Sequence, residues 1–441
     1  MGRTVRYWYT YRTAVAVVLA LLLSGVIYWL YTQQVVCDEH AAGCVVNVSV
    51  HPEDRLFANQ DDPGPGVVIV GIDDKSVQAL GHFPVPRENY AKAIHNLQQA
   101  GALVVGLDVQ LSDPSGSDDS LTAVLRQSTV PVVLSYPASN LAFTSPGKVI
   151  QCPPGTAVCK EAGNDEIPLK QFRCLDANPD QNVACVKPIP NVVLASTDLV
   201  LDGDGVLRSV PLFVQPACYP RGICDTAVMD TFAFATYRAS LPDFQTLPAL
   251  QESDGTASFG SAFKMAVDSK GAALINFSGP PDTFKHFGHY ASFSDVANGT
   301  APAGLFKDNI VLIGAYNLSG VNDAQLVTTS AGSNGTLQMA GVEIHANVVR
   351  MLNRAVPLPG NPSLLLTPEP QWLLFLLILV LGLATAIGVS RVSVLWGLAG
   401  TAGALVVFTF AMAGLASFNN FVADVFHPWL AIALTYAGVT A

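Results

Sequence analysis

Three aspartates and an arginine carry the clearest chemical possibility in this chain. Asp73 ends the apolar run VVIVGID, Asp108 ends ALVVGLDV, and Asp323 follows DNIVLIGA by a short loop. Arg87 opens a stretch of helical spacing soon after the first run. In open parallel sheets, ligands sit beyond the carboxyl ends of the strands, near a switch in strand order. Taken as neighbouring strands joined by one helix, the first two runs place Asp73 and Asp108 about 5 Å apart across the sheet. Asp323 and Arg87 can reach the same edge. Three carboxylates and a guanidinium there suit a cation or a polar ligand. They suit helix caps and a structural ion pair equally well.

Other groups are weaker candidates. DGDG at Asp202 to Gly205 has the look of a calcium loop, but the remaining ligands and the closing glutamate are missing, and a hairpin turn explains it. Asp73-Asp74 lacks the D-x-D spacing of a phosphatase nucleophile. His345 suits a ligand or a pH switch, or a hydrogen-bonded residue where a helix meets the sheet. The chain has no G-x-S-x-G, no H-E-x-x-H, no P-loop and no phospho-acceptor histidine segment, so no catalytic residue, metal or cofactor is assigned. Asn47, Asn276, Asn298 and Asn334 head N-x-S/T sequons, relevant only in a glycosylating host.

The eight cysteines fall as near neighbours: Cys37/Cys44, Cys152/Cys159, Cys174/Cys185 and Cys218/Cys224. These spacings are too wide and irregular for a zinc site. An even count outside the cytoplasm reads as disulfides, and short loops close at low entropic cost, so each neighbouring pair is expected to bond, with exchange of partners among Cys152, Cys159, Cys174 and Cys185 left open. The formal charge of −11 and isoelectric point near 5.1 argue against nucleic acid as a partner.

The elements that must position these groups begin with four apolar runs: 14–31, 371–390, 393–415 and 426–441. A hydrocarbon core about 30 Å thick takes roughly 20 apolar helical residues to cross, so four transmembrane helices are expected, one N-terminal and three C-terminal. Arg3, Arg6 and Arg12 precede the first, Asp38 and Glu39 follow it, and Arg391 sits between the second and third. The positive-inside rule then gives a cytoplasmic N-terminus (1–13) and a large extracytoplasmic domain (32–370). The location is a multi-pass inner (plasma) membrane protein with its domain in the periplasm or extracellular space. The last run offers 16 residues and no basic anchor, so the natural chain is expected to continue past Ala441.

Within the domain, unbroken apolar runs alternate with helical spacing. VVIVGID, ALVVGLDV, VPVVLSY and DNIVLIGA read as strands buried on both faces. Arg87–Ala100, Asp118–Gln127, Thr226–Arg238 and Val342–Arg354 read as helices, and VLRSVPLFV and GAALINF as further strands. The fold class is α/β, with a mainly parallel sheet and flanking helices. Residues 140–190, rich in Pro, Gly and Asn, read as a Cys-rich insertion, and the stretch from the 240s to Gly260 as loop.

GIDDKSVQALGHFPVPRENYAKAIHNLQQAGALVVGLDVQLSDP resembles the opening of the second class of CHASE sensory domains. DGDGVLRSVPL resembles that family's D-G-V-x-R hairpin, and VLIGAYNLSGVNDAQLVTTSA with MAGVEIHANVVRMLN resembles its closing segment. The resemblance covers roughly Val67 to Arg354 and implies an extracellular sensor followed by three spans. It implies relay to a cytoplasmic kinase or cyclase, none of which lies within the chain. The cysteine pairs depart from the usual pattern. The partners expected are membrane lipid, a second copy or another membrane protein, and an unidentified small extracellular ligand. The alternative is a non-catalytic subunit capping a larger membrane assembly.

Overall fold

The computed structural model describes residues 2–32, 62–136 apart from 110 and 112–115, 191–214 apart from 198, 200 and 202–204, and 336–355. It further describes 229–328 apart from 245–249, 254–255, 261, 268–270 and 322, and 364–441 apart from 369–370, 420 and 423. Two short strands, Val36–Cys37 and Val46–Asn47, paired with each other in parallel, complete it. The Cys-rich insertion and the cysteine side chains lie outside the described residues, as does most of DGDG.

The chain opens with helix α1 (Gly2–Thr32), then strand β1 (Val67–Ile72), α2 (Asp74–Leu80), α3 (Arg87–Gln99), β2 (Val104–Asp108), α4 (Asp118–Arg126), β3 (Val132–Tyr136) and β4 (Val192–Ser196). There follow α5 (Phe232–Ala239), β5 (Tyr290–Ser292), α6 (Phe293–Ala297), β6 (Ile310–Ala315), the hairpin β7 (Ala324–Thr328) and β8 (Thr336–Ala340), and α7 (Gly341–Asn353). Helices α8 (Gln371–Ser390), α9 (Val394–Asn419) and α10 (Phe426–Thr440) close the chain.

Six strands form one parallel sheet in the order β5-β1-β6-β2-β3-β4. Period-two alternation sends Val67 and Ile69 to one face and Val68, Val70 and Ile72 to the other. The first face is covered by α5 and α7, the second by α3, α4 and α6. Covering both faces is what permits continuous Val/Ile/Leu strands.

The order of strands corrects one expectation. β6 is inserted between β1 and β2, with Gly314 opposite both Gly71 and Asp108. Asp73 and Asp108 are therefore two strand spacings apart, about 10 Å, instead of neighbours. The β1-to-β2 connection carries two helices, not one, and leaves room for the intervening strand. Local boundaries also shift. VLRSVPLFV breaks into Val206–Leu207, Ser209–Pro211 and Phe213–Val214, each paired with a different partner. The helix expected from Thr226 begins at Phe232, after strand Met229–Asp230. The stretch taken for loop before Gly260 holds Gln251–Ser253 and Thr256–Phe259, which with Phe263–Ala266 form an antiparallel sheet.

Among the described residues three helices, not four, are long and apolar enough to cross a membrane: Thr10–Thr32, Trp372–Ser390 and Val394–Leu415. Helix α10 has 15 residues, about 22 Å of helix, short of the hydrocarbon thickness. It packs beside α1 and α8 all the same, with Ala431 against Ile27, Leu374 and Ile378.

Helices α1 and α8 run antiparallel, with Thr13 hydrogen-bonded to Ser390 at 3.1 Å. Ala16, Ala20 and Ser24 of α1 meet Gly382 and Ala386 of α8, and Ser24 Oγ donates to the Ile378 carbonyl. In lipid no hydrophobic force joins helices, so small residues that admit close approach decide the contact. A Cβ on Gly382 would stand 2.9 Å from Ser24 Oγ, whereas Gly388 has open space. Gly382→Leu is thus expected to lower the thermal midpoint in detergent, at a cost of about 1–3 kcal/mol from overpacking. Gly388→Leu is the control and should leave it unchanged; equal effects would remove the close-packing argument.

Candidate functional site

Asp73 follows β1 and caps α2. Its Oδ1 accepts from Ser76 N at 2.9 Å, Ser76 Oγ at 2.7 Å and Ser292 Oγ at 2.8 Å, and its Oδ2 accepts from the Tyr290 hydroxyl at 2.8 Å. Burial pushes this carboxyl up, but the bonds from Ser76, Ser292 and Tyr290 outweigh it and hold the group below its ordinary value. Asp73 is therefore ionised. Gly71 makes the arrangement possible, because a Cβ there would lie 2.5 Å from the Tyr290 ring. Asp74 accepts from Ser319 N and Oγ at 2.9 and 2.8 Å and so fastens the loop after β6.

Asp108 and Asp323 meet elsewhere, at the first turn of α7. Asp108 leaves β2 toward the α7 face, and His345 Nε2 lies 4.0 Å from its Oδ2. Burial and the neighbouring Asp323 charge raise Asp108 well above the carboxylate range. Burial pushes Asp323 up to about 6. The Gly341 N–H donates to the Asp323 carbonyl at 2.9 Å, and a Cβ on Gly341 would press on the Asp323 carboxylate at 3.3 Å. His345 packs edge-on against Phe232 at 5.1 Å, and burial, offset in part by the Thr197 backbone, lowers it to about 4. It is neutral at neutral pH. No trio of His, Cys, Asp or Glu among the described residues has the geometry of a metal site.

Arg87 is buried at the start of α3 and donates to the Leu111 carbonyl at 3.1 Å, tying down the segment after β2. The four residues singled out from the sequence thus fall in three places. Asp108 and Asp323 come together; Asp73 and Arg87 stand apart from them.

Sequence reasoning missed Glu343, Asp282 and Tyr316. Glu343 is 1% exposed; its Oε2 accepts from Asp282 N at 3.0 Å and Tyr316 OH at 3.4 Å, and its Oε1 has no hydrogen-bond partner among the described residues. Burial pushes it up to about 7. The same helix continues through Asn347, whose Oδ1 accepts from Ser278 N and Oγ, to the buried Arg350. Arg350 donates to the Pro63 carbonyl at 3.0 Å and the Asn276 carbonyl at 3.4 Å. Asn276 in turn donates to the Leu364 carbonyl at 2.9 Å, so its side-chain amide is engaged in the fold. One end of α7 gathers buried titratable groups from three strands' ends; the other clasps the segments on the membrane sides of the domain.

On the exposed edge, a groove of about 660 Å³ opens beside β5. Asp73, Lys75, Lys285, Tyr290, Ser292 and Asp295 form its polar part and Ala301, Pro302 and Leu305 its apolar part.

A double-sided parallel α/β domain thus lies between helices long and apolar enough to cross a membrane, with a groove at one sheet edge. The family model for the CHASE2 domain matches residues 14–387, and this chain belongs to that family of extracellular sensory domains. The match begins within α1 and ends within α8, so it takes in both packed membrane helices. No curated protein and no solved structure matches the chain.

Proposed function

We propose that this chain is the input module of a membrane receptor, passing the state of its extracytoplasmic domain through α1 and α8 to a cytoplasmic effector. The observation that carries this reading is α7. A single 13-residue helix, about 20 Å long, joins the buried Asp108–Asp323–Glu343 end to the Arg350 clasp on Pro63 and Asn276. A change in charge or packing at one end therefore acts on the helix that holds both membrane-side segments.

The arrangement in the membrane follows from charge. Thr13 and Ser390 are adjacent, so Arg12 and Arg391 flank the same end of the α1–α8 pair, and the positive-inside rule makes that end cytoplasmic. The module sits in the inner (plasma) membrane, crosses it several times, and acts as a homo-oligomer or with another membrane protein. Its four local disulfides, Cys37–Cys44, Cys152–Cys159, Cys174–Cys185 and Cys218–Cys224, brace surface loops outside the cytoplasm. The module is not itself an enzyme.

The test is cross-linking in native membranes. With copper phenanthroline added as oxidant, Thr13→Cys with Ser390→Cys forms a disulfide across the α1–α8 contact, quantified by peptide mapping. Asp108→Ala, which changes packing, and Asp323→Asn, which removes charge, made separately, should each change its rate of formation by about twofold or more while the protein remains inserted. If both leave the rate as in the parent, the domain is an inert cap and the relay reading fails.

A further inference from the structure

The edge groove holds a charge pattern that the fold does not use up. Lys75 and Asp295 satisfy each other at 2.6 Å. Lys285 is exposed and pairs with no carboxylate among the described residues; its ammonium lies 4.9 Å from the Tyr290 ring centre and 5.8 Å from that of Tyr316. An ammonium over aromatic faces keeps its three donors free for an anion. Opposite in kind is Asp73. Three donors crowd its Oδ1, but among the described residues Oδ2 accepts only from Tyr290, and a carboxylate oxygen has capacity for about two. Both residues line the groove, with Ala301, Pro302 and Leu305 on the remaining wall.

The four charged groups sum to zero. A ligand of net charge would leave one of them uncompensated in a partly desolvated site, whereas a ligand carrying both signs completes the set. At about 660 Å³ the groove is in the size range of small-molecule sites. We propose that it binds a small zwitterion of the amino-acid class, with the carboxylate on Lys285, the ammonium on Asp73 Oδ2, and the apolar part against Pro302 and Leu305. This deepens the sensory reading and rests on it for its purpose: the groove is where the input would arrive.

Binding is read directly, on the full chain in detergent, by calorimetric titration with each of the twenty common amino acids. At least one is expected to bind saturably with a Kd of about 1 mM or tighter. For a leucine hit, 4-methylpentanoate lacks the ammonium and 3-methylbutylamine lacks the carboxylate; each should bind about tenfold or more weakly. Lys285→Met keeps an apolar stem over the two rings on an exposed position, and should weaken binding by a similar factor, with Lys285→Arg closer to the parent. The proposal is overturned if no amino acid binds, if the hit's deaminated or decarboxylated analogue binds as tightly as the hit, or if Lys285→Met binds like the parent. None of these results bears on the cross-linking experiment, so the site and the relay stand or fall separately.

Discussion

Glu343→Gln is expected to stabilise the protein at alkaline pH by about 3 kcal/mol while leaving it unchanged in acid. The carboxyl is buried among Asp282, Tyr316 and the backbone at Asp282 and Phe284, and burial raises it from its ordinary 4.5 to about 7. Between those values the folded protein holds a proton that the unfolded chain has released. Stability from this group is therefore complete below pH 4.5 and is lost as pH rises through 7. Glutamine copies the protonated acid. Its oxygen can take the place of Oε2, accepting from Asp282 N and Tyr316 OH, and its amide the place of the unpartnered Oε1. The difference between parent and variant isolates Glu343 from Asp323, whose shift has the same sign, and from His345, whose lowered value destabilises the fold in acid. Thermal midpoints across the pH range should diverge only above pH 4.5 and reach a plateau beyond about 7. Parallel profiles for the two proteins would mean that Glu343 ionises normally.

Arg350→Met should cost about 2–4 kcal/mol, since it keeps the aliphatic stem and removes charged donors from two carbonyls. The loss should be local in a way that a general weakening of the core is not. Amide exchange is expected to quicken at Gly66 and Leu364, which stand beside the Pro63 and Asn276 contacts of the guanidinium. The strand amides of β3, on the far side of the sheet, should keep their protection until global unfolding. Uniform acceleration would assign Arg350 to the core at large and not to a clasp.

The parts of this fold that were legible in the sequence are those with local signatures. VVIVGI, VVGLD and IVLIGA are unbroken apolar runs and became the central strands β1, β2 and β6; Arg87–Gln99 and Gly341–Asn353 carry helical spacing and begin or end within a residue or so of the expected bounds. Strand order is a different kind of information. Nothing in residues 67–108 signals that a strand from 310–315 will part them, because that pairing is made with residues about 200 positions away and leaves no local pattern. The site was half legible for the same reason. Asp73 and Asp108 announce themselves by ending apolar runs. Tyr290, Ser292 and Lys285 come from a three-residue strand and a four-residue helix, too short for any periodicity to show. Glu343 stood inside the conspicuous G-V-E-I-H-A-N run, but the burial that raises it is set by packing across the fold, and its partners Asp282 and Tyr316 are distant in the chain.

The Leu364 contact has a geometric consequence for the two membrane helices it serves. A chain can span at most about 3.6 Å per residue. Leu364 is seven residues before Gln371, where α8 begins, so α8 starts within a leash of about 25 Å from the α7 clasp. Pro63 is 31 residues beyond Thr32, the end of α1, and with strand 36–37 paired to 46–47 the same arithmetic allows about 80 Å. The two helices are therefore tethered to the domain on very different scales. Displacement of α7 toward or away from the bilayer is taken up by α8 first, and it reaches α1 through the small-residue seam with α8 and through α10, which packs on both.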